Sequence, residues 1–221
     1  MGKKSLPKLK IAVVGTSGVG KYSLSHQFAN GWIAPRDSNE PGDNPSKIVQ
    51  LDTGKYDVKV LVFRDLDDER LNDCQGVMVV YSVVDKASFQ FLKTTALQKL
   101  FENLGSKAED PAENNDPEGA RNDGQNPVET PTRSPATAGL SIPVVLVGNK
   151  VDEAEMSREI EQDVGNALSR DLSCVGFFET AATCNAEVPK AFRCLLEEMT
   201  KNLGVEKKKK KSSKKNCCII S

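Results

Sequence analysis

Along most of the chain, short apolar runs alternate with stretches in which apolar residues recur every three or four positions. Continuous apolar runs are typical of strands in a covered parallel sheet, and the wider spacing is typical of helices that pack on it. This order predicts an α/β fold, a doubly wound and mostly parallel six-stranded sheet with helices on both faces. The predicted strands cover 9–15, 48–51, 58–63, 76–83, 142–147 and 174–178, and the predicted helices cover 21–30, 88–104, 160–168 and 192–203.

One internal segment, residues 105–141, follows neither pattern. It contains five prolines, no aromatic residue, seven acidic and three basic residues. Such a composition buries too little apolar surface to offset the entropy lost on ordering. We therefore expect a disordered acidic insertion that interrupts a domain at 9–204, with a short extension at 1–8. A spacer is the favoured role, and a phosphorylated or partner-binding loop is the alternative.

The net charge of −1 over 221 residues hides an asymmetry, because residues 206–221 contain seven lysines and one glutamate. An acidic body with a basic tail argues against a nucleic-acid-binding domain and is typical of a soluble domain with an electrostatic tether. No apolar stretch reaches the length of a membrane span, and the N-terminus has no secretory pattern. The six cysteines are therefore expected to be reduced thiols.

A glycine-rich segment, Gly-Thr-Ser-Gly-Val-Gly-Lys at 15–21, joins the first predicted strand to the first predicted helix. Glycines let backbone N–H groups turn toward phosphate oxygens, and the helix N-terminus adds partial positive charge. Lys21 would reach the β- and γ-phosphates. A tight turn with an exposed lysine is the alternative. The predicted phosphate contacts are Gly15, Ser17, Gly18, Val19, Gly20, Lys21, Tyr22 and Ser23.

Tyr22 stands where a phosphate loop calls for Ser or Thr, whose hydroxyl binds Mg²⁺. A phenol is too long to place its oxygen at that point. Ser23 is adjacent, but one residue along a helix turns about 100° away. We therefore expect magnesium binding that is weakened or rearranged.

A second motif, Gly-Asn-Lys-Val-Asp at 148–152, follows the fifth predicted strand. The carboxylate of Asp152 accepts two neighbouring N–H donors, which guanine presents and adenine does not. Asn149 would tie this loop to the phosphate loop, and Lys150 would lay its stem over the base. The motif predicts a guanine nucleotide, and an enzyme that uses ATP is the weaker alternative.

With both motifs in this order, the chain resembles the Ras-like small GTPases over residues 9–203, the insertion excepted, and in its C-terminal tail. The resemblance implies the small G-protein type of P-loop fold, with GTP or GDP and Mg²⁺ as ligands. It assigns the Glu-Thr-Ala-Ala-Thr segment at 179–183 to the base, where the N–H of Ala182 would meet guanine O6. The further residues that it assigns are Ala181 and Thr183 at the base, and Ser46 and Asp65 at the metal.

The second switch departs from the family pattern Asp-Thr-Ala-Gly-Gln-Glu. In this chain Asp68 replaces the glycine that senses the γ-phosphate, and Glu69 replaces the glutamine that orients the attacking water. Six residues separate Glu69 from Gly76, so most of the switch helix is expected to be missing. Ser17 also crowds the space that an arginine finger needs. We expect slow or absent GTP hydrolysis with no assigned catalytic residue, or a pseudo-GTPase that serves as a binding platform.

The last four residues, Cys-Ile-Ile-Ser at 218–221, fit a C-a-a-X prenylation signal, and the terminal serine favours a farnesyl group on Cys218. One lipid anchors weakly, so the lysines, at about 1 kcal/mol each, and palmitoylation of Cys217 would supply the second signal. We expect a monomer anchored to anionic lipid on the cytoplasmic face of the plasma membrane, with effector and regulator proteins that the sequence does not identify. A nuclear-localisation run or a solvated tail is the alternative.

Overall fold

The computed structural model describes residues 5–32, 44–105, 142–183 and 186–212. Its centre is a six-stranded sheet in the order β2-β3-β1-β4-β5-β6. Five strands are parallel, and β2 is antiparallel to β3. The predicted fold class is confirmed. The strands are β1 Lys8–Val14, β2 Ser46–Leu51, β3 Gly54–Val62, β4 Gly76–Ser82, β5 Val144–Asn149 and β6 Gly176–Thr180.

Helices cover both faces of this sheet, and two short 3-10 helices lie in its loops, at Glu69–Asp73 and Val151–Glu153. A π-helical turn, Leu92–Ala96, joins the second helix to the third. No helix in the described ranges is long and apolar enough to cross a membrane. The α-helices are α1 Lys21–Asn30, α2 Lys86–Phe91, α3 Leu97–Gly105, α4 Ala154–Ser157, α5 Gln162–Asp171 and α6 Glu187–Ser212.

The central strand β4 is buried along its whole length. Because successive side chains of a strand point to opposite faces, β4 contributes to two apolar layers. Val79 and Tyr81 pack with α2, α3 and α5, whereas Met78 and Val80 pack with α1 and α6. In the second layer the rings of Phe28 and Phe192 stack with centroids 4.1 Å apart. Each large side chain buried in this way contributes roughly 1.5–3 kcal/mol, so the two layers hold the loops at the carboxyl edge of the sheet in place.

Several element bounds differ from the predicted ones. The helix predicted at 88–104 begins at Lys86, because the carboxylate of Asp85 caps it by accepting from Ala87 N at 3.0 Å and Ser88 N at 3.2 Å. The last strand lies two residues further along than predicted, at Gly176–Thr180.

Two predicted boundaries, at residues 204 and 105, fall inside helices. Helix α6 continues to Ser212, past the boundary predicted at residue 204, so its last turns include the lysines at 207–211. Gly105, the first residue assigned to the insertion, is the last residue of α3. The rest of the insertion, 106–141, and the lipidation residues Cys217 and Cys218 lie outside the described residues.

Candidate nucleotide-binding site

The loop between β1 and α1 follows a path that only glycine permits at two points. Gly15 has φ 149° and Gly20 has φ 95°, both in the region that side chains disfavour. A Cβ at Gly15 would stand 2.2 Å from the carbonyl oxygen of Val80, and a Cβ at Gly20 would stand 2.3 Å from Nδ2 of Asn149. These contacts explain why the sequence has glycine at both positions of the predicted phosphate loop.

Lys21, the first residue of α1, folds back into this loop. Its Nζ donates to the carbonyl oxygens of Gly15 and Thr16, both at 2.7 Å, and the residue is only 6% exposed. Burial lowers the pKa of Lys21 to about 8, and the positive charge of Arg64 contributes to the same shift. The ammonium is thus held at the mouth of the loop, where an incoming phosphate oxygen can replace a carbonyl acceptor.

A cavity of about 480 Å³, here named the phosphate cavity, opens over the loop. Its walls bring together six of the residues predicted to contact phosphate, namely Ser17, Gly18, Gly20, Lys21, Tyr22 and Ser23.

Among the residues that the structure describes, Arg64 also lines the cavity, and no sequence motif predicted it there. It follows β3, whose parallel neighbour β1 leads into the phosphate loop. Since the carboxyl ends of parallel strands meet at one edge of a sheet, a basic residue just after β3 was the available signal.

At the other end of the site, Asn149 connects three segments of the chain. Its Nδ2 donates to the carbonyl oxygen of Val19 at 2.8 Å, and its Oδ1 accepts from Oγ1 of Thr180 at 3.1 Å. Asn149 is 1% exposed, so these bonds form away from water. The guanine loop is the segment 148–152 that contains the second motif. The Asn149 side chain therefore fixes this loop against both the phosphate loop and the end of β6.

The predicted base-binding residues gather beside this connection. Lys150 has φ 70° and opens the 3-10 helix that contains Asp152. Oδ2 of Asp152 accepts from Oγ1 of Thr183 at 3.0 Å, a contact that the sequence analysis did not foresee. Ala181 is buried, and Ala182 is half-buried. The guanine loop and the 179–183 segment thus meet at the carboxylate that is predicted to select the base.

An ion pair holds the 179–183 segment in position. The guanidinium of Arg158 donates to both carboxylate oxygens of Glu179, at 2.8 and 2.9 Å, and also to the carbonyl oxygen of Ile160 at 2.9 Å. The two side chains are 21% and 12% exposed. The neighbouring carboxylate raises the pKa of Arg158. A pair with this bidentate geometry restrains the backbone that leads into the alanines predicted to bind the base.

The residues assigned to the metal do not meet at the phosphate cavity. Ser46 is an exposed first residue of β2, and Asp65 borders a neighbouring cavity of about 250 Å³ instead. Tyr22 lines the phosphate cavity where a short hydroxyl would be needed. Within the described ranges, no group of three or more His, Cys, Asp or Glu side chains is arranged to hold a metal ion. Among the described residues, the hydroxyl and the carboxylate assigned to the metal are therefore not brought together at this cavity.

The second-switch segment is short and attached to its surroundings. Glu69–Asp73 forms one 3-10 helix, capped by Asp68, which accepts from Arg70 N at 3.0 Å. A salt bridge of 2.6 Å joins Asp67 to Lys99 on α3. Beneath the segment Leu66 and Leu71 are buried. Glu69, the residue at the usual glutamine position, is exposed and is not among the residues lining the phosphate cavity.

Comparison with known proteins agrees with this geometry. The model of the Ras family matches residues 10–110 and 132–201. Ras-like protein B of Aspergillus fumigatus is 31% identical over 83% of this chain and 74% of its own length. Protein ras-2 of Neurospora crassa is 28% identical over 87% and 79%, and Ras-like protein 1 of Pyricularia oryzae is 28% identical over 83% and 71%. The chain belongs to the Ras family and is a Ras-like GTP-binding protein.

Proposed function

We propose that this protein is a membrane-tethered signalling protein that binds GTP and GDP, binds Mg²⁺ weakly and hydrolyses GTP slowly. GTP hydrolysis with Mg²⁺ is the general activity of the family. The observation that carries the proposal is the separation of Glu69 and Asp65 from the phosphate cavity that Lys21 and Tyr22 line. The groups that bind phosphate converge there, and those that would activate water do not.

The slow hydrolysis follows from what the phosphate cavity lacks. A glutamine that orients water, together with an arginine finger, accounts for several orders of magnitude in rate. Glu69 has replaced the glutamine, and the exposed Ser17 narrows the entry for an arginine from a partner. The changes that would lower the hydrolysis rate lie in the second switch, and they leave the guanine loop and the hydrogen bonds of Asn149 intact. Nucleotide binding and GTP hydrolysis are therefore separable in this chain.

Single-turnover hydrolysis of GTP by the full-length protein with Mg²⁺ tests this part of the proposal. We expect a rate constant below about 10⁻⁴ s⁻¹, because an intact small GTPase without a partner reaches only a few times this value. Hydrolysis at or above the rate of an ordinary small GTPase would contradict slow turnover. Retention of GTP by the protein at the end of the assay shows that the slow rate is not a loss of binding.

A pseudo-GTPase that acts as a platform is the second candidate, favoured by the attachments of the second switch. Asp67 is bonded to Lys99, and Leu66 and Leu71 are buried. Hydrogen exchange at 65–75 in the GDP-bound and GTP-bound protein separates the two. Protection that changes with the nucleotide supports a switch, and equal protection supports a platform.

The membrane part of the proposal rests on the C-terminal sequence and on the lysines in the last turns of α6. Cys218 would carry the prenyl group, and the lysines would contact anionic lipid of the plasma membrane. We expect the farnesylated chain to sediment with vesicles that contain phosphatidylserine and to dissociate from them as the salt concentration rises. The Cys218→Ser chain should stay in solution. Equal behaviour of the two chains would contradict lipid anchoring, and nuclear accumulation of both would favour a localisation signal.

A further inference from the structure

Three residues lie in register across the strands that lead into the guanine loop and the 179–183 segment. Tyr81 of β4 pairs with Gly148 of β5, and Gly148 pairs with Glu179 of β6. Gly148 opens the guanine loop, and Glu179 opens the 179–183 segment. Because residues paired in a parallel sheet face the same side, the side chains of Tyr81 and Glu179 flank the bare backbone of Gly148 on one face.

The side chain of Tyr81 extends across Gly148 to helix α5. A Cβ on Gly148 would stand 2.8 Å from the hydroxyl oxygen of Tyr81, and a Cβ on Gly165 of α5 would stand 2.3 Å from the same atom. The Tyr81 ring also packs edge to face with Phe89, at a centroid distance of 4.9 Å. The hydroxyl is therefore held between the strand that opens the guanine loop and the helix that covers it, and both glycines are needed to make room.

No hydrogen bond accounts for a tyrosine at position 81. The residue is 0% exposed, and among the residues that the structure describes its hydroxyl has no hydrogen-bond partner. Both carboxylate oxygens of Glu179 accept from Arg158 instead. Burial raises the pKa of Tyr81 and the charge of Glu179 adds to the rise, so the hydroxyl stays protonated. A buried polar group without a partner lowers stability, and phenylalanine has nearly the same shape, so the stability of the fold does not explain the hydroxyl.

We propose that the Tyr81 hydroxyl is a positioning group for base recognition, which fixes the distance between Gly148 and α5 and so holds the guanine loop, with Asp152, in place for the base. In a close-packed interior, the loss of one heavy atom leaves a gap that its neighbours fill only in part. Here the neighbours are the backbones of Gly148 and Gly165, so the gap lets the guanine loop shift. Because Tyr81 is fully buried, it acts through this loop and not by contact with the nucleotide.

The inference rests on the proposed binding of GTP and GDP, and it names a residue that sharpens selection of the base. The test compares the full-length wild-type protein with Tyr81→Phe, which lacks only this oxygen. Three probes are used: GDP, inosine diphosphate and pyrophosphate. Inosine diphosphate lacks the 2-amino group that Asp152 is predicted to bind, so the preference for GDP over it reports how well the guanine loop is placed. Pyrophosphate has no base and reports the phosphate loop alone.

Competition against a fluorescent GDP analogue measures the three affinities. We expect GDP to bind about 3- to 10-fold more weakly to Tyr81→Phe, the size of one weakened hydrogen bond. Inosine diphosphate should lose less, because it makes one contact fewer with Asp152, so the preference for GDP should fall. The affinity for pyrophosphate should not change.

Tyr56→Phe on β3 is the matched control, because it removes the same atom from a buried tyrosine away from the guanine loop. The hydroxyl of Tyr56 donates to Oγ1 of Thr53 at 3.1 Å. We expect this control to lower the midpoint of urea unfolding and to keep the full preference for GDP. Tyr81→Phe should do the reverse, with a midpoint at or above that of the wild type and a reduced preference.

Each remaining outcome decides against the inference. An unchanged preference for GDP in Tyr81→Phe would overturn it and leave nucleotide binding standing. An equal loss for all three probes, or a lower unfolding midpoint in Tyr81→Phe, would do the same, because the hydroxyl would then serve the fold as a whole. The same fall in preference in Tyr56→Phe would also overturn it. Failure of the wild-type protein to bind GDP would overturn the proposed function, and the inference with it.

Discussion

Asn149 donates from Nδ2 to the carbonyl oxygen of Val19 at 2.8 Å, and this bond joins the loop predicted to select the base to the loop predicted to bind phosphate. The same Nδ2 would lie only 2.3 Å from a Cβ on residue 20, so the close approach of Asn149 requires glycine there. The two ends of the nucleotide site are therefore held at a set distance before any ligand arrives, which lowers the ordering cost of binding.

Replacement of Asn149 by alanine should weaken both the fold and the site. The change leaves the carbonyl of Val19 and the hydroxyl of Thr180 without their buried partner, at about 1–3 kcal/mol for each group. We expect a lower midpoint of urea unfolding and at least a tenfold loss of GDP affinity. Asn166→Ala on α5 is the matched control, because among the described residues its side chain forms no buried hydrogen bond to another segment. Equal midpoints for the two variants would contradict the structural role of Asn149.

The pH dependence of nucleotide binding should report Lys21. In the free protein its pKa is lowered to about 8, by burial first and by Arg64 second. Phosphate stabilises the ammonium, so its pKa is higher in the complex. Below pH 8 the lysine is already protonated and adds no pH dependence. Above pH 8 binding takes up a proton, and GDP affinity should fall by up to about tenfold per pH unit.

Isothermal titration calorimetry with GDP, at pH values on both sides of pH 8, checks whether the affinity falls or rises with pH. Arg64→Gln removes the second cause of the shift, so the fall in affinity should begin at higher pH in that variant. An affinity that stays level, or that rises, above pH 8 would show that Lys21 does not meet the phosphates.

The hydroxyl of Thr183 should tune base recognition through Asp152. Thr183→Val removes the donor at 3.0 Å and lets the carboxylate rotate, so GDP affinity should fall by about 3- to 10-fold. Thr183→Ser keeps the hydroxyl and should retain most of the affinity. Competition against a fluorescent GDP analogue measures both. Wild-type affinity in the valine variant, which keeps the methyl group and lacks only the hydroxyl, would contradict a role for the hydrogen bond.

The pair of Arg158 and Glu179 should matter for stability more than any exposed pair. Glu179→Gln weakens two charge-assisted bonds to a largely buried guanidinium, at a cost of about 1.5–3 kcal/mol in the free energy of unfolding. Glu197→Gln removes the partner of Arg193 on the exposed side of α6 and should change little. Chemical denaturation compares the two. A loss of unfolding free energy in Glu197→Gln as large as that in Glu179→Gln would contradict the claim that burial makes the Arg158–Glu179 pair more stabilising than an exposed pair.

Local patterns predicted the fold well. Helix α1 has its predicted bounds, and every predicted strand is present, because the spacing of apolar residues reports which side of each element is buried. The last strand is shifted because Glu179 pairs with Gly148 and Thr180 pairs with Asn149 of β5, which the local pattern does not show.

The candidate site was predictable as far as its residues form contiguous motifs. The glycine loop and the guanine motif were found in that way, and their contact with nucleotide stays a prediction. Arg64, the Thr183 bond to Asp152 and the Lys99 bond to Asp67 could not be found, because each depends on two segments that only the folded sheet brings together. Polar contacts between distant segments leave no periodic signal in a sequence.

The central claim is that the phosphate loop and Asp152 form one pocket for a guanine nucleotide. Calorimetric titration of the purified full-length protein with GDP and then with ADP tests it most directly. A site built to hydrogen-bond one base rejects another strongly, so GDP should bind at least about 100-fold more tightly than ADP. Equal affinities, or no uptake of GDP at millimolar concentration by the folded protein, would contradict the account.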